Sequence, residues 1–359
     1  MRVLARYLPQ YHAFKENDEW WGKGYTEWTA VKSGKPLFRG HIQPRIPLNN
    51  NYYDLDKDGA ETLRWQADLA RKYGIYGFSF YQYYFKGHKL MEKPMETLLN
   101  NPDIDINYCI CWANETWTRT WYGLESEVLI SQEYGDEKDF KEHFDYLLQF
   151  FKDKRYIKID NKPVLEIYKS FDIECLDEML RCFRKWAIEA GFDDLYIISG
   201  KTAAGEEKRD GLVDGYYYFE PGYTLKNDFS KRARTFYNAG ILIKSFINRF
   251  REKKLLERSI NARDIIEPII RREYAENEFP GLIPDWDNTP RRSYRGLVYK
   301  GTSPEYFERA LSILKKKKEG HKVDFVYINA WNEWGEGAFL EPDEHKKYSY
   351  LEAVKRVVK

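Results

Sequence analysis

Two glutamates three residues apart, Glu333 and Glu336, are the residues of this sequence best suited to acid–base chemistry. Glu336 lies between Gly335 and Gly337, and glycines there permit a tight turn because they adopt backbone angles that other residues resist. Two carboxyl groups on one turn are the minimal equipment for work on a glycosidic bond: one protonates the leaving oxygen, and the other supplies electron density. An isolated pair at this spacing would more often orient neighbours or bind arginines, so its surroundings decide its interpretation.

Aromatic residues surround this pair and three other polar segments. Tryptophan, tyrosine and phenylalanine number 11, 29 and 21 and make up 17% of the chain. Most such rings fill cores, but here they adjoin asparagine, glutamate and arginine in segments 20–28, 112–119, 286–292 and 331–337. A ring with an apolar face and a hydrogen-bonding edge suits a sugar, so we predict a carbohydrate site with the two glutamates as its catalytic residues. The predicted substrate-binding residues are Tyr7, Gln10, Trp20, Trp21, Tyr81, Trp112, Asn114, Glu115, Trp117, Arg119, Tyr168, Trp286, Asn288, Arg291, Trp331, Asn332 and Trp334.

Hydrophobic periodicity predicts the elements that must position these residues. Runs with a period of two predict strands at 2–8, 75–81, 107–112, 163–168, 195–200, 215–219, 282–286 and 325–331. Longer patterns predict helices at 59–73, 136–153, 175–190 and 303–318. Asp136 and Ser303 are predicted to cap the second and the fourth of these helices. Eight strands alternating with helices predict an α/β fold, a (β/α)8 TIM barrel. An open doubly wound sheet is the rival, but no glycine-rich phosphate loop follows the first strand.

Long βα-loop insertions are predicted at the C-terminal face of the barrel. They follow the first, third and sixth strands, at 9–58, 113–135 and 220–281. Each begins where a strand ends, and a barrel gathers its active-site loops at that face. The polar aromatic segments come at the same strand ends, so we expect them to meet at one mouth.

Side-chain alternation predicts which strand residues face the barrel lumen. On the eighth strand, one face carries Tyr327, Asn329, Trp331 and Glu333, and the other carries the apolar Val326, Ile328 and Ala330. We expect the polar face to line the lumen, with Glu333 at its rim. On the fourth strand, Glu166 shares a face with Tyr168, and structural hydrogen bonding is as good an interpretation of Glu166 as substrate contact.

The other charged residues of these segments leave alternatives open. Glu115 follows the third strand and is predicted to bind sugar hydroxyls. Arg119 and Arg291 either hold Glu115 or contact an anionic group of the substrate. Neither the acidic residues nor the four cysteines have the spacing of a calcium or zinc site, so we expect no metal and no cofactor.

The 359 residues are predicted to form a single catalytic domain, 1–359, with a helical insertion at about 229–278. The 58 basic and 57 acidic residues give a formal charge of +1, which argues against a nucleic-acid partner. No apolar run approaches the ~18 residues of a membrane span, and Arg6 lies where an export signal would be apolar. We therefore expect a cytoplasmic protein whose partner is an oligosaccharide or polysaccharide. For the basic stretch 231–272, an inserted helical subdomain that packs its apolar face on the barrel is favoured over a membrane-surface helix or a lid.

Several motifs together resemble one family. The sequence YLPQYH at 7–12, WANE at 112–115, WDNTPR at 286–291 and NEWGEG at 332–337 resembles that of the WbsX-type glycosyltransferases. Those proteins are similar to glycoside hydrolase family 99, the endo-α-mannosidases and mannanases. The resemblance covers nearly the whole chain. It implies a (β/α)8 barrel that processes α-linked, mannoside-like glycans of bacterial-type surface polysaccharide.

The resemblance also implies roles for the two glutamates. Glu336 would be the general acid and then the base at the glycosidic oxygen, and Glu333 would take the proton from the sugar's 2-hydroxyl. The product of that step is a 1,2-anhydro sugar, and the overall outcome is retention. The chain departs from the hydrolases at Gly335, where they usually have histidine, and at Gln82, where related chains often have histidine. The alternatives are a glycosyltransferase of polysaccharide or O-antigen assembly and a non-catalytic glycan-binding protein.

Overall fold

The computed structural model describes residues 1–118, 127–203 and 211–359, and within them the chain forms a parallel β-barrel ringed by helices. The eight barrel strands of these residues are β1 (Arg2–Tyr7), β2 (Gly77–Phe85), β3 (Asn107–Trp112), β4 (Lys162–Ile167), β5 (Tyr196–Lys201), β6 (Gly215–Tyr218), β7 (Glu278–Phe279 with Gly281–Leu282) and β8 (Phe325–Ile328). Neighbouring strands pair in parallel, and β1 pairs with β8 from Arg2 opposite Phe325 onward. The predicted (β/α)8 fold is confirmed.

Strand β7 closes the barrel in two halves on either side of Pro280. The first half pairs with β6, and the second half pairs with Tyr327 and Ile328 of β8. Proline has no N–H to give to a ladder, but the carbonyl oxygen of Pro280 accepts from Tyr327 N at 2.9 Å. The prediction of a strand at 282–286 was wrong by four residues. Residues 282–286 are buried, and a buried apolar run is typical of a barrel strand. They do not continue as a strand because Pro284 lacks the N–H that a central strand needs.

Helices cover the outside of the barrel. Those in the described ranges are α1 (Lys15–Trp21), α2 (Glu27–Ser33), α3 (Gly59–Lys72), α4 (Lys93–Asn100), α5 (Glu137–Phe151), α6 (Leu176–Glu189), α7 (Gly222–Asn227), α8 (Lys231–Arg249), α9 (Arg263–Arg271), α10 (Thr289–Arg292), α11 (Pro304–Lys317) and α12 (Ser349–Val358). The four predicted helices are confirmed, and so are both caps. Asp136 accepts hydrogen bonds from the backbone of Lys138 and Asp139, and Ser303 accepts one from Tyr306. Among the described residues, no helix combines the length and apolarity that crossing a membrane requires.

Short strands outside the barrel complete the architecture. They are His88–Leu90, Trp117–Thr118, Val128–Ile130, Lys158–Ile159, Arg258–Asn261, Leu297–Lys300, Asn332–Glu333 and Ala338–Phe339. The predicted insertion at about 229–278 holds α8, the strand Arg258–Asn261 and α9. That strand pairs in parallel with Leu297–Lys300, which connects the insertion to the chain after β7.

A buried ion pair fills the lumen below the strand ends. Arg6 of β1 bonds to Glu166 of β4, and its guanidinium lies 4.0 Å from the ring centroid of Tyr217 and 4.4 Å from that of Tyr327. Glu166 Oε2 also accepts from Ser79 Oγ at 2.8 Å, and Oε1 accepts from Tyr327 OH at 2.8 Å. Glu166 is fully buried, so its role is structural hydrogen bonding, one of the two interpretations of its position in the sequence.

Candidate active site

A cleft of about 310 Å³ opens at the C-terminal ends of the barrel strands. Each of the four polar aromatic segments contributes at least one side chain to it. From the predicted set, its lining holds Gln10, Trp21, Tyr81, Glu115, Trp117, Tyr168, Trp286, Arg291, Glu333 and Glu336. The cleft therefore brings together ten of the side chains singled out by the sequence, on loops that follow six of the eight strands or on the strands themselves.

Glu333 and Glu336 lie on either side of one arginine. Arg291 Nη1 is 2.9 Å from Glu336 Oε1, and Arg291 Nη2 is 3.3 Å from Glu333 Oε2. The Glu333 side chain is 10% exposed and that of Glu336 is 25% exposed, so both reach the cleft from a largely buried position.

Burial shifts the acidity of both carboxyl groups. Burial, followed by repulsion from Glu336, raises the pKa of Glu333 above its ordinary value. Burial, together with repulsion from Glu27, outweighs the attraction of Arg291 and raises the pKa of Glu336. Two interacting carboxyls with raised pKa values hold one proton between them over a range of pH, and this state supplies an acid and a base at the same site.

Sequence reasoning missed a third carboxylate of this cluster, Glu27 at the start of α2. Its side chain is fully buried, and Glu27 Oε1 accepts from Arg291 Nη2 at 2.8 Å and from Gly335 N at 2.6 Å. Its Oε2 has no hydrogen-bond partner among the described residues. A signal for Glu27 did exist, because it is the one carboxylate of the polar aromatic segment 20–28.

The contacts of Glu27 and Arg291 explain why position 335 is a glycine. A Cβ atom on Gly335 would overlap the carboxylate of Glu27 and lie 2.7 Å from Arg291 Nε. The Glu27–Arg291 pair therefore occupies the space that a side chain at position 335 would need.

Backbone contacts fix the turn that carries the two glutamates. Asn332 Oδ1 accepts from Leu8 N at 2.8 Å, and Asn332 Nδ2 donates to Leu8 O at 3.0 Å, so the turn is bound to the end of β1. On the other side, Asp287 N donates to Glu336 O at 2.7 Å. Asn332 thus supports the site from below and does not line the cleft.

A buried carboxylate supports the turn from behind. Glu341 accepts from Trp331 Nε1 at 3.0 Å, Trp334 Nε1 at 2.6 Å, Gln66 Nε2 at 2.7 Å and Tyr53 OH at 3.0 Å. Burial outweighs these four hydrogen bonds and raises the pKa of Glu341 to about 7. Trp331 and Trp334 therefore face Glu341 and are not sugar-contacting walls.

The prediction that Trp331 faces the lumen was wrong. Strand β8 ends at Ile328, and side-chain alternation applies only while the chain stays extended. The Trp331 ring instead lies 5.0 Å from that of Phe78, which neighbours the lumen-facing Ser79 and so points outward. Tyr327 does face the lumen, as predicted, and Glu333 reaches the cleft from the turn rather than from the strand.

Two predicted substrate contacts lie on the outer face of their strands. Tyr7 alternates with Arg6, and its hydroxyl donates to Gln66 of α3 at 2.7 Å. Trp112 is buried, and its Nε1 donates to the backbone oxygen of Tyr84 at 3.1 Å. Both side chains point toward the helix layer and do not reach the cleft.

Three further predicted residues do not line the cleft. Trp20 packs its ring 5.6 Å from that of Trp117 and supports this cleft residue. Asn114 is buried and binds the backbone of Lys169, and Asn288 Oδ1 accepts from Leu297 N at 2.7 Å. Arg119 lies outside the described residues.

Sequence reasoning also missed other lining residues, among them Tyr83, Phe219 and Arg292. Tyr83 was recoverable, because it lies two positions after Tyr81 on β2 and alternation gives both the same face. Glu115 does not contact Arg291; it pairs with Lys169 Nζ at 2.5 Å, at the edge of the cleft.

Comparison with solved structures supports the fold. The chain is similar to a glycoside hydrolase-like protein, with 14% identity, a TM-score of 0.61, and coverage of 100% of this chain and 94% of that one. It is also similar to the GH99 endo-alpha-mannosidase from Bacteroides thetaiotaomicron in complex with BIS-TRIS-propane, with 12% identity, a TM-score of 0.56, and coverage of 99% and 96%. At these identities the likeness concerns the fold alone.

Comparison of sequences identifies the family. Two curated proteins named uncharacterized protein WxcX, from two strains of Xanthomonas campestris pv. campestris, are each 32% identical over 361 residues. The match covers 99% of this chain and 49% of each relative, so the chain spans about half the length of these curated relatives. The family described as Glycosyltransferase WbsX matches residues 3–354. With a match over nearly its whole length, the chain belongs to the WbsX glycosyltransferase family.

Proposed function

We propose that this carbohydrate-active enzyme breaks α-linked, mannoside-like glycosidic bonds of a bacterial-type surface polysaccharide with retention of configuration. The observation that carries the proposal is the arrangement of Glu333 and Glu336 around Arg291, at 3.3 and 2.9 Å, on the floor of an aromatic-walled cleft. Arg291 offsets part of the negative charge of the cluster, and burial keeps one proton on the pair. These are the conditions for acid–base work by two neighbouring carboxyls.

The proposed reaction has two steps. In the first, Glu333 removes the proton of the sugar's 2-hydroxyl, O2 attacks C1, and the bond from C1 to the leaving oxygen breaks as Glu336 protonates that oxygen. In the second, Glu336 takes a proton from the incoming hydroxyl, which attacks C1 of the 1,2-anhydro sugar, and Glu333 returns a proton to O2. Each step inverts C1, so the net result is retention, as in the exceptions to the two-carboxylate schemes. These roles for Glu333 and Glu336 are the ones the family resemblance implies.

The walls of the cleft supply the sugar-binding surface. Trp21, Trp117 and Trp286 present indole rings, and Tyr168 packs its ring 4.9 Å from that of Phe219. Aromatic faces pack against the C–H face of a pyranose, while ring edges and carboxylates bond its hydroxyls. The Glu115–Lys169 pair lies at the edge of this surface and is a hydroxyl-binding group in our proposal.

Glycosyl transfer is the second candidate, and the family name favours it. The chemistry above yields transfer if a sugar hydroxyl replaces water in the second step. The segment after β1, LPQYHA at 8–13, holds no glycine-rich phosphate loop. We therefore propose that a transferring form of this enzyme would take its glycosyl group from a glycoside rather than from a sugar nucleotide.

The test is incubation of the protein with a panel of α-linked manno-oligosaccharides, with and without acceptor sugar. Product mass distinguishes water from a sugar as acceptor, and the anomeric configuration of the product reports retention. Glu336→Gln and Glu333→Gln should each lower turnover by about a hundredfold to ten thousandfold. The matched control is Glu189→Gln, an exposed position at the end of α6 that should leave turnover unchanged.

Two outcomes would overturn the proposal. A fully active Glu336→Gln variant would remove the acid from the scheme. Oligosaccharide binding without turnover by the wild-type protein, with the same dissociation constant in Glu333→Gln, would favour a non-catalytic glycan-binding protein.

A further inference from the structure

Helix α8 presents an apolar face to solvent. The side chains of this face are from 61% to 78% exposed and comprise Phe236, Leu242, Ile243, Phe246 and the adjoining Phe250. Their spacing of three, four or seven residues places most of them along one side of the helix. Large apolar side chains exposed in a contiguous set indicate a contact surface rather than the scattered exposure of an ordinary protein surface.

The opposite side of α8 fixes the helix to the rest of the protein. The Tyr237 ring lies 6.0 Å from that of Phe229, and Asn248 is buried. Asn248 Oδ1 accepts from Leu255 N at 2.7 Å, and its Nδ2 donates to Leu255 O at 2.9 Å. The helix is therefore held in place with its apolar side outward, and the expectation that the insertion packs its apolar face on the barrel was wrong for α8.

Basic residues border this apolar face. Between residues 231 and 254 the sequence has eight basic residues and one acidic residue, Glu252, a net of +7 in a chain whose net charge is +1. The eight are Lys231, Arg232, Arg234, Lys244, Arg249, Arg251, Lys253 and Lys254. Arg234, Arg251 and Lys254 donate to backbone carbonyl oxygens rather than to carboxylates. The positive charge of this segment thus remains available to an external anion layer.

We propose that the α8 surface, residues 231–254, docks on an anionic phospholipid bilayer. A helix with exposed phenylalanine and leucine and with a cationic border matches the headgroup boundary, where apolar side chains enter the acyl region and cations lie near phosphates. A second copy of the chain fits less well, because a two-fold contact through this face would bring two segments of +7 together.

The docking surface lies near the cleft. Gly222 and Leu225 of α7 line the cleft, and Arg234 Nη2 of α8 donates to Leu225 O at 3.0 Å. Docking through α8 would therefore bring one rim of the cleft close to the bilayer. This inference does not depend on the proposed glycosidic chemistry, and its test measures binding alone.

The test is flotation of the protein with vesicles of phosphatidylcholine alone and of phosphatidylcholine with phosphatidylglycerol at about 7:3. We expect binding to the anionic vesicles at ~0.1 M salt, and its loss at ~0.5 M salt. The double variant Phe246→Ser/Phe250→Ser should lower the partition coefficient by about tenfold or more, and so should Lys231→Glu/Arg249→Glu. Ile188→Ser, at a position 56% exposed on α6, is the matched control and should bind as the wild type does.

Thermal unfolding and circular dichroism of each variant separate a folding defect from a loss of binding. Failure of the wild type to float with anionic vesicles would overturn the proposal. Equal binding to both vesicle types, insensitive to salt and to the charge reversal, would overturn the role of the cations. A dimer in sedimentation velocity that Phe246→Ser/Phe250→Ser abolishes, without vesicle binding, would identify a second copy as the occupant and overturn the proposal.

Discussion

Replacement of Arg291 by methionine would test the electrostatic design of the acid–base cluster. The Arg291 side chain is 8% exposed, and it contacts Glu27, Glu333 and Glu336 at 2.8, 3.3 and 2.9 Å. Methionine preserves much of the side-chain length and volume but removes the charge and the donors. The variant therefore leaves three largely buried carboxyl groups without the cation that contacts them all.

The loss of folding stability in Arg291→Met follows from burial and depends on pH. Removing one partner of a buried ion pair destabilises a protein by about 3–5 kcal/mol, and we expect a loss of that size at pH 8. Burial already raises the pKa of Glu333 and Glu336, and Arg291 opposes that rise. Without Arg291 the pKa of both groups rises further, so the folded state gains affinity for protons. The variant therefore loses stability as the pH rises through the raised pKa values of the two glutamates. Its loss of stability relative to the wild type should be smaller at pH 5 than at pH 8.

The assay is urea unfolding of wild type and variant at pH 5 and pH 8, with oligosaccharide turnover measured in parallel. Arg45→Met is the matched control, because Arg45 is also largely buried between two carboxylates, Asp285 and Asp343, but lies outside the cleft lining. It should lose stability and keep the substrate dissociation constant. An equal loss of stability for Arg291→Met at both pH values would refute the argument that Arg291 sets the protonation of the pair.

Two further substitutions probe the support of the turn. Gly335→Ala forces a methyl group against Glu27, so we expect about 1–3 kcal/mol of destabilisation and at least about tenfold lower kcat/KM. The control is Gly240→Ala, which has open space around its Cβ position. Unchanged kinetics in Gly335→Ala would contradict the argument that the methyl group crowds Glu27. Burial raises the pKa of Glu341 to about 7. The folded state therefore loses stability as the pH rises from the ordinary glutamate pKa of about 4.5 to 7, by about 3–4 kcal/mol at ~1.4 kcal/mol for each pH unit. Glu341→Gln should abolish that part of the pH dependence of urea unfolding, and an unchanged slope between pH 4.5 and 7 would contradict it.

Most of the fold was predictable because barrel strands carry a strong local signal. Strand β3 matches its prediction at Asn107–Trp112, and the caps Asp136 and Ser303 mark helix starts through side-chain chemistry that is local in sequence. Strand β7 was not predictable in this way. Its two halves are each two residues long, and the buried segment that follows them has the same apolar pattern as a strand.

The candidate site was predictable to the extent that the strand ends determine it. Strand β2 and the loops after five other strands deliver the predicted polar and aromatic residues to the cleft, as a parallel barrel requires. The orientation of individual side chains was harder to predict. Side-chain alternation fails once a strand ends, as at Trp331. An aromatic residue within a strand also faces the helices as readily as the lumen, as Tyr7 does. Glu27 was missed because its partners Arg291 and Gly335 are far from it in sequence and adjacent only in the fold.

The residues that hold the Glu333–Glu336 turn are far apart in sequence, and this separation affects how the protein folds during synthesis. Gly335 bonds to Glu27 across 308 positions of sequence, and Asn332 bonds to Leu8 across 324. A ribosome-bound chain that has made the first seven strands still lacks the turn that receives these early residues, and Glu27 emerges long before Arg291. Contacts of such high order form slowly, so the acid–base pair is among the last features that a nascent chain acquires.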